Sequence, residues 1–482
     1  MAKPIHVRFS GFIVFLGNIA SLLTGMVFTV LISRNLSVND FGTWFFLGTT
    51  ISYFQILENI FTYWASRDIP RGLKVGKTCI FVNFIISLPL TLMFIIVSYF
   101  LIPLFHYPRD IFLVGSVFMP IYYVSYAIVS IIASTEPHKL GLKDVIIDGT
   151  KIILAIVMLR YGLIGIIISV AIANIFFILY GLSVSRKNFE NIIDIQWIKD
   201  RTRFLWLPLH SSAIGYLSAA TDSFIVGVLS GTLAISYYGI ALTLGRTMKY
   251  ASSLASSIYP KLLSKGDITL SEARALFKFL YTFSIPLLIG GLILSKALVS
   301  IFGSKYLEAA TLLYLLFPAF FLGSISSALH YIITGVEKVD AKAEVKFKEL
   351  LRSRLFTTQL INYMSISILV VGSILLTHYI DVFGPALSRL LASILVLAFY
   401  CILGRKTLKL NCIFAGLDKI LPSTLPMIIF LYLYRPIGFA NTMIAIIIGA
   451  LIYFTTLIMI DRESRRLLKA FIKELLDRLT YY

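Results

Sequence analysis

Between Phe9 and Ile460 the chain carries about fourteen apolar stretches, each close to the roughly twenty residues that a helix needs to cross a bilayer. They fall near residues 10–33, 42–63, 79–102, 111–133, 145–160 and 163–184 in the first part of the sequence. A second series follows near 206–229, 237–259, 279–302, 309–334, 357–378, 382–403, 417–434 and 438–460. Cytoplasmic loops retain Lys and Arg whereas short translocated loops exclude them, so the charges in alternate connections test this segmentation. One set of connections, with the two ends of the chain, holds 33 of the 43 basic residues, and the other holds five: Arg34, Arg109, Arg160, Lys305 and Arg435. A missed or extra span would scramble that alternation. The expectation is an all-α polytopic membrane protein with both termini cytoplasmic, and residues 9–33 read as its first spanning helix rather than a cleaved signal peptide.

Composition supports the same class and removes others. The residues are 58% hydrophobic and 14% charged, against about a quarter charged in soluble domains. The net charge of +19 sits beside the spans, where membrane lipids with anionic headgroups account for it without nucleic acid. Cys79, Cys401 and Cys412 have neither metal nor redox spacing, and no metal or cofactor is expected. The outer connections are a few residues long, too short for a catalytic loop, so the chain does not read as an enzyme. The localisation expected is the plasma membrane.

An internal repeat organises the spans. VLISRNLSVNDFGTWFFL from Val30 lies over VGVLSGTLAISYYGIALTL from Val226, with Phe41-Gly42 on Tyr238-Gly239. The same shift puts Phe105 on Phe302, and YGLIGIIISVAIANI from Tyr161 lies over IDVFGPALSRLLASI from Ile380, with Gly165 on Gly384. Each match is short, but their order is collinear. They imply two six-helix lobes in parallel orientation, 1–190 and 200–406, then two extra helices within 417–460 and a basic tail, 461–482. Parallel repeats that meet at a substrate site are one way secondary transporters are built.

Three segments resemble a known family. Arg34-Asn35-Leu36-Ser37-Val38-Asn39-Asp40-Phe41-Gly42 is similar to the turn after the first helix of the polysaccharide transporters. These are the Wzx-like oligosaccharide flippases of the multidrug/oligosaccharidyl-lipid/polysaccharide (MOP) exporter superfamily. Thr221-Asp222-Ser223-Phe224-Ile225-Val226-Gly227 with Tyr237-Tyr238-Gly239 resembles the family's seventh-helix region, and Phe302-Gly303-Ser304-Lys305-Tyr306 its segment before the tenth helix. The resemblance implies fourteen spans, cytoplasmic termini and a flippase that carries a polyprenyl-(pyro)phosphate-linked oligosaccharide to the outer leaflet, with glycan-assembly enzymes as partners. Two other readings stay open: a cation-coupled small-molecule exporter of the same superfamily, and a non-transporting scaffold for glycan synthesis. The exporter's acidic sites in the first helix are missing, since residues 10–33 contain no carboxylate.

Five cations lie inside spans rather than beside them: Lys151, Arg246, Lys249, Lys296 and Arg389. A charge at that depth costs several kcal/mol unless it meets a cavity or a partner. Arg246 and Lys249, three apart near the middle of the eighth span, share a face; with Arg389 they are the candidates for a cationic substrate cavity, against pairing with Asp222, Glu58 or Asp148. Arg34 either gates the outer vestibule or caps the first helix. Glu58 and Asp222 are candidates for proton or Na⁺ coupling, against a static counter-ion role. Asp148 and Lys151 read as a structural pair, Lys296 as a snorkelling side chain. Asn18, Asn83, Asn174 and Gln55 suit either sugar hydroxyls or helix-to-helix hydrogen bonds. The segments 267–278 and 461–478 suit either helices lying along the inner membrane surface or simple positive-inside anchoring of the spans beside them.

Overall fold

The computed structural model describes residues 24–186, 192–249, 268–335, 353–405 and 408–465. The expectations for the two termini, for Asn18 and for most of the basic tail fall outside them. Among the described residues the chain is helical, with no strand.

Its elements are α1 (24–35), α2 (Val38–Phe54), α3 (Asn59–Asp68), α4 (Gly76–Phe100), α5 (Arg109–Gly115), α6 (Phe118–Thr135), α7 (Lys143–Met158), α8 (Gly162–Val184) and α9 (Ile195–Thr202). The helix Trp206–Gly245 is broken at Gly231 into α10 (206–230) and α11 (232–245). There follow α12 (Leu270–Ile293), α13 (Ser295–Ser300), α14 (Ala309–Gly335), α15 (Arg354–Ile380), α16 (Phe383–Gly404), α17 (Leu417–Tyr434) and α18 (Phe439–Ile460). Among the described residues ten helical stretches are long and apolar enough to cross a membrane, which makes this a multi-pass membrane protein. Two of them, Lys139–Val184 and Pro208–Met248, would measure roughly 60 Å or more if straight, twice a bilayer core. Each doubles back at a glycine with positive φ, Gly162 at 60° and Gly231 at 81°, the conformation that a side chain resists.

The spans are apolar outside and small or polar inside, as lipid requires. On α4 the exposed stripe is Phe81, Phe84, Leu88, Leu92 and Ile96, while Thr78, Asn83, Ser87 and Ser98 are buried. The hydroxyls bond the carbonyl of the preceding turn, as Ser98 does to Phe94 O at 2.7 Å, because no water is present to take them.

The helices fall into two compact units, Met1–Gly239 with Ile374–Pro385 and Ile240–Ser373 with Ala386–Tyr482. In unit 1 the quoted turn after α1 is a helix cap. Ser37 is the N-cap of α2, its Oγ accepting from Asp40 N at 3.0 Å, and Phe41 beyond it is fully buried. Gly42 then brings α2 against α11: a Cβ there would lie 2.0 Å from Thr232 O, and one on Gly239 would lie 2.8 Å from the Phe45 ring. The glycines that the repeat superimposes therefore sit at one crossing of the two repeat-related helices. The second pair behaves alike. A Cβ on Gly165 would meet Met158 O at 2.1 Å, and one on Gly384 would meet Thr377 N at 2.4 Å, so each seats a helix start against the end of the helix before it.

On the basic side of unit 1, α9 docks through the buried Asp68 carboxylate, which accepts from Trp197 Nε1 at 2.9 Å and pairs with Arg201 at 2.8 Å. In unit 2 the two extra helices fold onto α12. Tyr453 of α18 donates to Thr282 O at 3.0 Å, and Gly449 lies close under Leu431 of α17. At their basic-side ends Asp461 pairs with Lys278 at 2.6 Å and Lys419 at 3.4 Å. Burial works to raise the Asp461 pKa, but the Lys278 ammonium and the Ser464 donors outweigh it and hold the carboxyl well below the usual range. One expectation is corrected here. Residues 267–278 do not form a separate surface helix: a capping box of Thr269 and Glu272 starts α12 at Leu270, and it runs unbroken to Ile293. Arg274 and Lys278 are simply its first turns.

Candidate functional site

Two of the intramembrane cations of unit 2 meet at one ring. Lys249 Nζ lies 5.4 Å from the centroid of Phe320 and Arg389 Cζ lies 5.3 Å from it. Three helical segments create this arrangement. Phe320 is on α14; Arg389 is on α16; Lys249 follows the 3₁₀ turn Arg246–Met248 at the end of α11. Side chains three apart eclipse in such a turn, so Arg246 and Lys249 project together. Ser324 Oγ donates to Met248 O at 3.1 Å and fastens α14 to that turn. Gly245 lets the ring approach, since a Cβ there would lie 2.7 Å from Phe320 Cδ2.

The depth of Arg246 and Lys249 differs from the expected mid-span position. Because Gly231 sets the turn, α11 starts at 232 rather than near 237. At 1.5 Å per residue Lys249 lies about 25 Å from the outer start of α11, Phe320 about 17 Å along α14 and Arg389 about 9 Å along α16. The ring is thus near the middle of its span, with Lys249 on the side of the basic connections and Arg389 toward the opposite side. A lysine or guanidinium on an aromatic face is worth about 0.5–2 kcal/mol; Lys249 is exposed and Arg389 half-buried.

Unit 1 has different chemistry. Its helix 2 region is interrupted by a 3₁₀ turn, Gln55–Leu57, between α2 and α3. Tyr123 donates to the carbonyl of Phe54 at 2.6 Å, at the start of that break. Glu58 follows, buried to 2% exposure; Tyr216 on α10 donates to its Oε1, and Gln55 Nε2 to its Oε2 at 3.4 Å. Beside this carboxyl lies a cavity of about 360 Å³, walled by Trp44, Gln55, Glu58, Tyr122, Tyr126 and Asn174. Asp148 and Lys151 form the expected structural pair at 2.5 Å, with Thr24 donating to Asp148 at 2.6 Å.

Asp222 is fully buried on α10, where Tyr238 of α11 and the Ser223 N–H donate to it. That ties the two arms of the broken helix together across Gly231. Arg34 lies exposed at the end of α1, a helix C-terminus, and Lys296 is exposed on α13. Among the described residues no group of three or more His, Cys, Asp or Glu is placed to hold a metal, and the three cysteines are free thiols. The sequence reading missed Phe320 and Tyr216: one is among 37 phenylalanines, the other is 158 residues from its partner.

Neither a family model nor a curated protein matches the sequence. Among solved structures, the lipid II flippase MurJ in an inward closed conformation superposes with a TM-score of 0.68 at 16% identity, over 94% of this chain and 99% of that one. An inward-facing multidrug resistance MATE family transporter of the MOP superfamily gives 0.59 at 13% identity, over 79% and 94%. A MATE transporter of Vibrio cholerae gives 0.56 at 14% identity, over 83% and 95%. At such identities the likeness is one of fold: the chain has the fold of the MOP-superfamily transporters.

Proposed function

We propose that the chain is a flippase of the Wzx-like kind, moving a polyprenyl-(pyro)phosphate-linked oligosaccharide from the cytoplasmic to the outer leaflet of the plasma membrane by alternating access, for cell-surface glycan assembly. The observation that carries this reading is the convergence of Lys249 and Arg389 on Phe320, with Arg246 on the same turn. Cations that reach one ring from the two halves of the membrane suit a phosphate head that must leave water, and the ring itself suits a substrate with an apolar portion. Asp222 and Glu58 remain the candidates for coupling its passage to a proton or Na⁺, and Arg34 for guarding the outer end. The fold likeness to a lipid II flippase over nearly the whole chain supports the same substrate class. The likeness to a multidrug resistance transporter favours instead a small-molecule exporter. Such a protein gains nothing from a clustered cation pair when its cargo is a cation, which is why the flippase reading is preferred.

The test is translocation of a fluorescent or radiolabelled polyprenyl-pyrophosphate oligosaccharide in proteoliposomes. Lys249→Gln with Arg389→Gln is expected to slow it at least about tenfold, the effect of about 1.4 kcal/mol. Unchanged translocation by the folded double variant refutes the role of these cations. Transport of a cationic dye with no glycolipid movement would establish the exporter, and indifference of glycan synthesis to every intramembrane charge would establish the scaffold.

A further inference from the structure

The cavity of unit 1 is not used by the phosphate argument, and its lining differs from the cation cluster in kind. The carboxyls of Glu58 and Asp144 face the ammonium groups of Lys143 and Lys151 around it, so its formal charge cancels. Each of these groups already has a partner: Tyr216 for Glu58, Asp144 for Lys143 at 3.9 Å, Asp148 for Lys151 at 2.5 Å. A lining whose formal charges cancel does not favour an ionic cargo of either sign. What it offers is aromatic surface and unsatisfied polar edges. Trp44 Nε1 and the hydroxyls of Tyr122 and Tyr126 are neither hydrogen-bonded to any described residue nor sealed from accessible space. Asn174 donates to Val170 O at 2.8 Å and Gln55 to Glu58 at 3.4 Å, which leaves both amide oxygens turned to acceptor work.

Ring faces beside mixed donors and acceptors match one ligand class best. A pyranose presents a face of C–H groups that lies on an aromatic ring, and a rim of hydroxyls that both donate and accept, as phenols and amides do. The volume of about 360 Å³ is at the small end of the roughly 300–1,000 Å³ typical of small-molecule sites, room for a sugar ring or a pair. Its position also fits. Trp44 lies about 9 Å from the outer start of α2, Gln55 about 25 Å, and Lys143 begins α7 on the basic side, so the cavity runs from the outer half of the membrane to the cytoplasmic end of the unit.

We infer that the cavity bounded by Trp44, Gln55, Tyr122, Tyr126 and Asn174 in unit 1 is a subsite for uncharged sugar rings, entered from the cytoplasmic side and separate from the cations around Phe320. This deepens the flippase reading and rests on it for the identity of the cargo, since it names the part of that cargo which carries no phosphate. An organic cation is the rival occupant, because rings and carboxyls can also cage a cation; Lys143 and Lys151 in the wall argue against it.

The test is isothermal titration of the full chain in lipid nanodiscs with maltose, cellobiose and N,N′-diacetylchitobiose, none of which carries phosphate or polyprenyl, and with tetraphenylphosphonium. At least one disaccharide is expected to bind saturably. Trp44→Leu and Gln55→Leu are expected to weaken it about fivefold or more, the loss of about one neutral hydrogen bond or ring contact. Tyr122→Phe and Tyr126→Phe remove only hydroxyls, keep the packing and are expected to weaken it together by a similar factor, whereas Tyr379→Phe on the exposed end of α15 changes nothing. Disaccharide binding that survives all four substitutions, or tetraphenylphosphonium binding with no disaccharide binding, overturns the sugar subsite. Glycolipid translocation by a chain that binds no disaccharide also overturns it and leaves the flippase standing; disaccharide binding without any glycolipid translocation overturns the flippase alone.

Discussion

The crossing of α2 and α11 can be tested through its two glycines, which the repeat makes equivalent but the packing does not. In Gly42→Ala the new methyl would stand 2.0 Å from Thr232 O and 2.5 Å from Ser236 Oγ. A backbone carbonyl in a helix cannot turn aside, so the helices must part by about an ångström to reach ordinary contact. Two hydrogen bonds span the same crossing, Ser236 Oγ to Val38 O at 2.5 Å and Thr232 Oγ1 to Asn39 Oδ1 at 3.0 Å. Losing both removes about 2 kcal/mol, and overpacking adds about 1–3. Alanine regains about 1 kcal/mol as the better helix former, which leaves a net loss of about 2–4 kcal/mol. In Gly239→Ala the obstacle is the ring of Phe45, half-buried and at 2.8 Å. A side chain can swing, so the strain is at the low end, about 1 kcal/mol, and the helix gain cancels it. Equilibrium unfolding in mixed micelles should therefore place Gly42→Ala well below the parent and Gly239→Ala close to it. Equal losses, or the reverse order, would refute the argument that backbone against side chain decides the cost.

Three further outcomes follow from the structure. Tyr216→Phe removes a donor to the buried Glu58 carboxyl and is expected to cost about 1–3 kcal/mol by the same unfolding measurement; no loss would mean that the hydroxyl contact is not formed. Asp461→Asn should lower the melting temperature at neutral pH. Because the folded-state pKa of Asp461 lies below its unfolded value, its contribution is complete above about pH 4 and fades as the pH falls further, so the gap between parent and variant should close only in strong acid. Gly245→Ala should push Phe320 aside by several tenths of an ångström and slow glycolipid translocation severalfold while the melting temperature stays nearly constant; unaltered translocation would remove Phe320 from the cation site.

Much of the fold could be read from the sequence because lipid imposes a coarse rule, about twenty apolar residues per crossing with cations kept to one side. Aligning Gly42 with Gly239 and Gly165 with Gly384 located two close approaches, since glycine is what a tight helix contact demands. What hydropathy could not place were features set by backbone geometry. The true start of α11 is fixed by Gly231 and by the Ser236 contact to Val38, within a run of small and polar residues that looks unlike a span. The 3₁₀ break at Gln55–Leu57 has no proline or glycine to announce it. Partners in the sites come from remote helices: Tyr216 reaches Glu58, and Phe320 gathers Lys249 and Arg389, by topology alone.

The same scaffold, repeated, carries opposite chemistry in its two units. In unit 1 the buried carboxyls of Glu58 and Asp222 each accept from a tyrosine hydroxyl, Tyr216 and Tyr238, and Asp148 is matched by Lys151, so the acidic groups are held where hydroxyl donors or a lysine serve them. In unit 2 the cations Lys249 and Arg389 meet on one ring. Packing glycines recur between the repeats while the ionisable groups do not, because a helix crossing tolerates few solutions whereas a cavity wall tolerates many. If the repeat had been kept for stability alone, there would be no reason to place unlike charges at the cost of burial in each half. The division is what a cargo with a phosphate head and an uncharged glycan calls for: cations for the one, aromatic and amide surface for the other. A cargo that is a simple cation needs neither. Swapping the chemistry therefore discriminates: Arg389→Glu should abolish glycolipid movement and leave disaccharide binding in unit 1 unchanged, and a parallel loss of both would mean that the two sites are not separate.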